Sequence, residues 1–250
     1  MIEWILNNHD GFEGFWIGPV YLHVWGLMVM TGILCAFYLV KHKVEILNLD
    51  VSTKIDKLFF ILIIAIFIGS RSLSIWENWP YYSNNLIAIL QIWQGGFSFF
   101  GGVTGALLAG YFWSLKTKND FWLFASFFVP AWLVGLFCGR IGCFLIKDHP
   151  GVTGRIGNFN FDHQPALYEA LGLLLIIGIL TKLAKRIKPR QLFLISLLSY
   201  SVLRFGLDFL RAGVKVGGDE RFANLTLGQW LILIFWSWIF FSPNRFPIAK

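Results

Sequence analysis

Three arginines, Arg71, Arg140 and Arg204, fall inside or at the ends of long apolar runs. An arginine in such a run costs at least ~2.5 kcal/mol on insertion scales, so three of them require a reason. Arg204 opens the stretch RFGLDFLR (204–211), where Asp208 follows four residues later and Arg211 three after that. On a helix this spacing sets all three charges on one face. Two readings are open. Asp208 holds both arginines in place, because buried charges need partners, or it also leaves Arg204 aimed at a substrate phosphate. Arg140 stands in GRIGCFLIKD (139–148) between Gly139 and Gly142, with Cys143 three residues on and Asp148 at the end of the run. Glycines leave a guanidinium fork uncrowded, which suits bidentate phosphate recognition. A kinked helix end with an arginine snorkelling to the interface fits the same letters.

Other stretches carry weaker signals. In HQPALYE (163–169), His163 and Glu169 flank a helix start marked by Pro165 and capped by Gln164. His163 can serve as a base, or the stretch is only a helix start held by hydrogen bonds. In GGFSFFGGVTG (95–105), Gly95 and Gly96 open an apolar run, where exposed N–H groups can meet an anionic head group. Gly101 and Gly105, like Gly135 and Gly139, have the spacing of close helix packing. LTLGQW (225–230) opens the last run, with Thr226 as N-cap and Trp230 as an interfacial anchor. No chemistry is assigned to it. No P-loop, HExxH, GxSxG or haem motif occurs.

The elements that position these residues follow from composition. Of 250 residues, 56% are hydrophobic and 14% charged, against about 25% charged in an average soluble domain. That excludes a disordered chain, a coiled coil and an ordinary soluble globule. The apolar runs are unbroken rather than alternating, which argues against a β-barrel. Seven spans are expected, near 20–40, 58–76, 96–115, 121–146, 166–184, 191–210 and 226–242. The expected fold is thus an all-α polytopic membrane protein, one transmembrane domain over 1–250. Residues 1–19 are too short and interrupted to cross; Trp4, Phe12, Phe15 and Trp16 point to an interfacial segment. MIEWILNNHDGF lacks a basic start and an alanine-type cleavage site, so no cleavable signal peptide is expected.

The net charge of +7 does not call for nucleic acid. Alternate loops carry thirteen Lys and Arg on one side and five on the other, so topology accounts for the charge. The positive-inside rule puts the N-terminus outside and the C-terminus in the cytoplasm, with the three arginines toward the outer half. Cys35, Cys138 and Cys143 show no CxxC spacing, which argues against a zinc site or a disulfide framework. A transporter is disfavoured by the lack of an internal repeat and by charges clustered toward one face.

Taken in order, HVWGLM (23–28), GSR (69–71), IWQGGFSFFGG (92–102), GRIGCF (139–144), HQPALYE (163–169), RFGLDFLR (204–211) and LTLGQW (225–230) resemble the bacterial phosphatidylglycerol–prolipoprotein diacylglyceryl transferase family. The resemblance runs nearly the whole chain. It implies transfer of the diacylglyceryl group of phosphatidylglycerol to the lipobox cysteine of a preprolipoprotein, with glycerol phosphate leaving and no metal or diffusible cofactor. It also implies a site at the outer leaflet of a bacterial inner membrane. Arg140 matches the family's essential arginine, and Arg204 with Asp208 matches its Arg–acid pair. Those three are expected to be catalytic. Arg71, Gly95, Gly96, Gly101, Gly102, Gly142, Cys143, Asp148 and Arg211 are expected to bind substrate.

The sequence departs from the family pattern at five places. Phe100 stands where the family has histidine, Cys143 where it has asparagine and Trp25 where it usually has tyrosine. Asp208 stands where it usually has glutamate, and Ile146-Lys147-Asp148 replaces its NGE. Phe100 cannot accept a proton, so the base is sought at His163, His23 or His149. The alternatives are a divergent paralogue with another acceptor and a non-catalytic phospholipid-binding membrane protein.

Overall fold

The computed structural model describes residues 11–18, 20–46, 52–91, 96–117, 121–148, 150–156, 159–213 and 220–241. Strands β1 (Gly14–Ile17) and β2 (Val20–His23) pair antiparallel, with Gly18 at φ 59° in the turn. The run expected as one span from residue 20 therefore begins as a strand. Val20-Tyr21-Leu22 is a β-branched and aromatic stretch that fits a pleated pair better than a helix start. Helix α1 (Val24–Ile46) follows directly, then α2 (Ser52–Glu77), a short α3 (Trp79–Asn84) and a 3₁₀ turn (Leu86–Ile89). Next come α4 (Phe99–Thr117) and α5 (Phe121–Leu145), the hairpin β3 (Thr153–Ile156) and β4 (Phe159–Asp162), α6 (Pro165–Leu183) and α7 (Pro189–Leu207). Asp208–Leu210 continues α7 as a 3₁₀ turn. The hairpin β5 (Arg221–Phe222) and β6 (Leu225–Thr226) then leads into α8 (Leu227–Phe241).

Five helices are long and apolar enough to cross a membrane, over Val24–Lys43, Ile55–Glu77, Ala125–Leu145, Pro165–Leu183 and Pro189–Leu210. Together they make a mostly helical, polytopic membrane architecture. The expected spans near 96–115 and 226–242 are also helical, the latter with a shorter apolar stretch over Leu227–Ser237. Pro165 and Pro189 each stand at a first helical turn, where a missing N–H and a fixed φ are harmless.

The chain divides into two compact units, Met1–Leu39 with Phe128–Lys250, and Val40–Phe127. In the second unit, α2 and α4 pack through glycine. A Cβ on Gly69 would meet the Gly101 carbonyl, and one on Gly101 would meet the Gly69 carbonyl. One on Gly105 would meet the Ala65 carbonyl. The small-xxx-small spacing thus brings two backbones together, as expected. Gly101→Val is expected to lower stability by about 1–3 kcal/mol through overpacking. A thermal melt matching the unsubstituted protein would contradict that contact.

In the first unit, Val129 and Leu133 of α5, Leu173, Ile176 and Leu180 of α6, and Leu192 of α7 form the buried apolar core. These contacts run antiparallel from α5 to α6 to α7. They bring the C-terminal ends of α5 and α7 and the N-terminal end of α6 to one end of the bundle. Polar segments tie this end together: Val152 N–H donates to Leu210 O, Ala212 N–H to Pro150 O and His163 N–H to Val152 O.

Candidate active site

Past the apolar core, one carboxylate gathers the charges. Glu169, on the first turns of α6, has a side chain 1% exposed. Its Oε1 meets Arg140 Nε at 2.9 Å, from α5, and its Oε2 meets Arg204 Nη1 at 2.9 Å, from α7. The Tyr200 hydroxyl donates to Oε1 at 2.8 Å. Tyr200 sits one turn before Arg204, and its ring packs edge-on against Trp132 with centroids 5.2 Å apart. Three helices therefore meet at Glu169. Each arginine would be costly in a lipid-bounded bundle, and a shared buried anion offsets that cost only with close geometry, which these distances supply.

A second carboxylate extends the chain of charges. Asp208 is fully buried. Its Oδ1 lies 3.0 Å from Arg204 Nη2, an ion pair whose angle falls outside hydrogen-bond geometry, and 3.7 Å from Arg211 Nη1. The expected i,i+4 pairing of Arg204 and Asp208 is present, while Arg211 reaches Asp208 from extended backbone just past the 3₁₀ turn and not from a shared helical face. Arg204 spans both acids with its two terminal nitrogens. The Arg221 side chain closes the end of α7 by donating through Nη2 to the carbonyls of Asp208 and Arg211, both at 2.9 Å.

The surroundings of Arg140 follow its glycines. A Cβ on Gly139 would meet nothing within 4 Å. Gly142 does another job: a Cβ there would meet Met28 Cβ at 3.0 Å and Trp25 Cδ1 at 3.2 Å, so it seats α1 against α5. Cys143 is buried. Asp148 is exposed, and its N–H donates to the Cys143 carbonyl at 3.0 Å.

The other expected site residues have separate places. Arg71 belongs to the second unit and is buried. Its Nε donates to Ile89 O at 3.2 Å, Nη1 to Gly96 O at 3.0 Å and Nη2 to Ala88 O at 2.5 Å. Its guanidinium also lies over the Tyr82 and Phe97 rings. Arg71 thus organises the segment between α2 and α4. Gly96 takes φ 75°, a region that favours glycine. The helix starts at Phe99, so Gly96 serves Arg71 through its carbonyl instead of opening a helix N-terminus. Gly101 and Gly102 face α2, the latter toward Ser70 Oγ.

His163 is half-buried, with Nδ1 3.4 Å from the Tyr168 hydroxyl and its ring edge-on to Phe161. His23 is exposed and edge-on to Tyr21. Gly95 and His149 lie outside the described residues.

Sequence reasoning gave Glu169 only a place at a helix start and did not single out Tyr200. A signal for Glu169 was present. The seven expected spans hold three arginines and only two acids, Glu169 and Asp208. Because buried cations seek anions, the two acids were the anionic partners on offer within the spans, and Arg140 and Arg204 take them while Arg71 uses backbone carbonyls. Tyr200 had no comparable signal beyond standing four residues before Arg204.

The sequence model of the prolipoprotein diacylglyceryl transferase family matches residues 13–241. Among similar proteins, one named phosphatidylglycerol–prolipoprotein diacylglyceryl transferase in Methylococcus capsulatus is 31% identical, over 86% of this chain and 87% of its own length. Proteins of the same name in Geobacillus kaustophilus and Acinetobacter baumannii are 28% and 29% identical, over 89% and 85% of this chain and 89% and 84% of their own. The matched residues take in Arg140, Glu169, Tyr200, Arg204 and Asp208, and with them every helix that builds the charged cluster. The chain belongs to the prolipoprotein diacylglyceryl transferase family.

Proposed function

We propose that this chain transfers the diacylglyceryl group of phosphatidylglycerol to the lipobox cysteine of a preprolipoprotein and releases glycerol phosphate. The observation that carries the reading is the linkage of Arg140 and Arg204 through one buried carboxylate, Glu169. In this reading the substrate thiolate attacks the glyceryl carbon that bears the phosphate ester. A C–S bond forms, the C–O bond breaks, and glycerol phosphate leaves with the electron pair. Negative charge grows on the phosphate as that bond breaks. Two arginines fixed beside it stabilise the charge without reorganising, which is where such sites gain most of their rate.

Arg140 and Arg204 bind the phosphate. Glu169 and Asp208 act by holding them in place. The thiol proton goes to a histidine, since the thiolate is the nucleophile. His163 and His23 are the described candidates. The protein crosses the bacterial inner membrane seven times as one transmembrane domain, N-terminus outside, with the cluster toward the outer leaflet. The excess of Lys and Arg in alternate loops supports that orientation.

Phe100 favours a second reading. It is 37% exposed at the start of α4 and offers no proton acceptor where the family has histidine. In that reading the cluster holds phosphatidylglycerol without transfer. The two are separated by following glycerol phosphate release from purified protein in phosphatidylglycerol nanodiscs. Release that requires a lipobox peptide, is lost in Arg140→Ala and persists in the control Lys182→Ala, in the last turn of α6 away from the cluster, is the expected result. Retained lipid with no release favours the second reading, and release by Arg140→Ala at the unsubstituted rate excludes the assigned role of Arg140.

A further inference from the structure

We infer that the Thr226–Gln229 turn at the start of α8 is a positioning device for Arg204, acting through Asp208. The inference rests on the transferase reading for its effect on rate, but not for its effect on the arginine. The turn is a reciprocal capping box. Gln229 N–H donates to Thr226 Oγ1 at 3.2 Å, and Thr226 N–H donates to Gln229 Oε1 at 2.9 Å. This is the T-x-x-Q pattern that satisfies two orphan donors of a helix start. An ordinary box ends there. Here each side chain also donates a hydrogen to α7 or its 3₁₀ extension. The Thr226 hydroxyl donates to Asp208 Oδ2 at 2.9 Å, and the Gln229 amide donates to Phe205 O at 2.9 Å. Gln229 and Asp208 are fully buried and Thr226 is 3% exposed.

The consequences follow from the donor inventory. A threonine hydroxyl has one hydrogen, and accepting from Gln229 leaves that hydrogen directed outward. It fixes Oδ2 of Asp208, and with it the plane of the carboxylate. That plane sets where Oδ1 stands, 3.0 Å from Arg204 Nη2. The Gln229 amide simultaneously ties α8 to the carbonyl of the residue that follows Arg204. Gly228 lets the turn approach, since a Cβ there would lie 3.3 Å from Asp208 Oδ2. The β5–β6 hairpin feeds the turn into place through Ala223 and Asn224, both at positive φ.

The test compares unsubstituted protein with Thr226→Val, Thr226→Ser, Gly228→Ala and Gln191→Ala. Gln191 caps α7 at its far end through Lys188 N–H, so Gln191→Ala removes a cap remote from the cluster. Two quantities are read: kcat and KM for lipobox lipidation, and the guanidinium signals of 15N-arginine protein, with Arg204 assigned by its absence in Arg204→Lys. Loss of the hydrogen bond to a charged group is expected to lower kcat about tenfold or more in Thr226→Val, with KM for phosphatidylglycerol little changed. The Arg204 signals should broaden in the same variant. Thr226→Ser should restore both, and Gln191→Ala should leave both unchanged.

Gly228→Ala keeps the capping box and crowds Asp208 Oδ2, so it should lower kcat without lowering the melting temperature. That variant carries the test if Thr226→Val does not fold. An unchanged kcat in a folded Thr226→Val or Gly228→Ala overturns the inference. So does an equal loss in Gln191→Ala, which would mark a general capping effect. If unsubstituted protein transfers nothing, the function reading fails. The Arg204 signals then decide: broadening in Thr226→Val and recovery in Thr226→Ser sustain the positioning role, and unchanged signals overturn it.

Discussion

Replacing Glu169 by alanine is expected to unfold or strongly destabilise the bundle end and to abolish transfer. Three partners lose their acceptor at once. Arg140 Nε and Tyr200 OH both address Oε1, and Arg204 Nη1 addresses Oε2. Breaking a buried pair by removing one partner costs about 3–5 kcal/mol, because the other charge stays buried. Glu169→Gln separates folding from function. Glutamine fills the same space and its carbonyl accepts from Tyr200 or Arg140, but it offers no charge to hold two arginines. The variant should fold with a lowered melting temperature and lose about a hundredfold or more in transfer rate, the scale of a removed electrostatic stabiliser. Thermal melts and initial rates on the same preparation test it. Glu169→Gln working at the unsubstituted rate would remove Glu169 from its place as the hub.

Arg204→Lys is the second large effect. The substitution keeps a positive charge, so a role in net charge alone predicts little change. The geometry predicts otherwise. Arg204 reaches Glu169 Oε2 through Nη1 at 2.9 Å and Asp208 Oδ1 through Nη2 at 3.0 Å, two acids on different helices. A lysine ammonium is a point donor and cannot reproduce a planar fork. It can reach one acid and leaves the other without the link between Glu169 and Asp208 that Arg204 makes. The loss in transfer rate should reach about a hundred- to thousandfold, with the protein still extractable and folded. Activity within a fewfold of unsubstituted protein would show that the fork is not needed.

Much of this was legible in the sequence, and the reasons differ from place to place. The helices over Pro165–Leu183 and Pro189–Leu207 lie within two or three residues of the expected spans, because hydropathy and a leading proline both mark their limits. The Arg204–Asp208 pair follows from helical spacing, whereas Arg211 reaches Asp208 from extended backbone beyond the helix. The Thr226 cap was readable because Thr-x-x-Gln is a local signal. Its links to Asp208 and Phe205 were not, since they join residues 18 and 24 apart.

Long-range pairing also hid the role of Arg71. Three intramembrane arginines read alike in sequence, yet Arg71 spends its donors on the carbonyls of Ala88, Ile89 and Gly96. A backbone carbonyl is present at every residue, so nothing in the letters marks it as an acceptor. Gly142 shows the same limit: a glycine beside Arg140 reads as room for a ligand, and the structure gives it to the packing of Trp25 and Met28. The first hairpin was missed because Val20–His23 is apolar enough to be absorbed into the span that follows it.

The most direct test of the central claim is mass spectrometry of a lipobox peptide incubated with purified protein and phosphatidylglycerol, beside Arg140→Ala. The account predicts a mass gain of one diacylglyceryl group on the peptide cysteine with unsubstituted protein, and none with Arg140→Ala. It would be contradicted by a peptide of unchanged mass from folded protein that still retains phosphatidylglycerol.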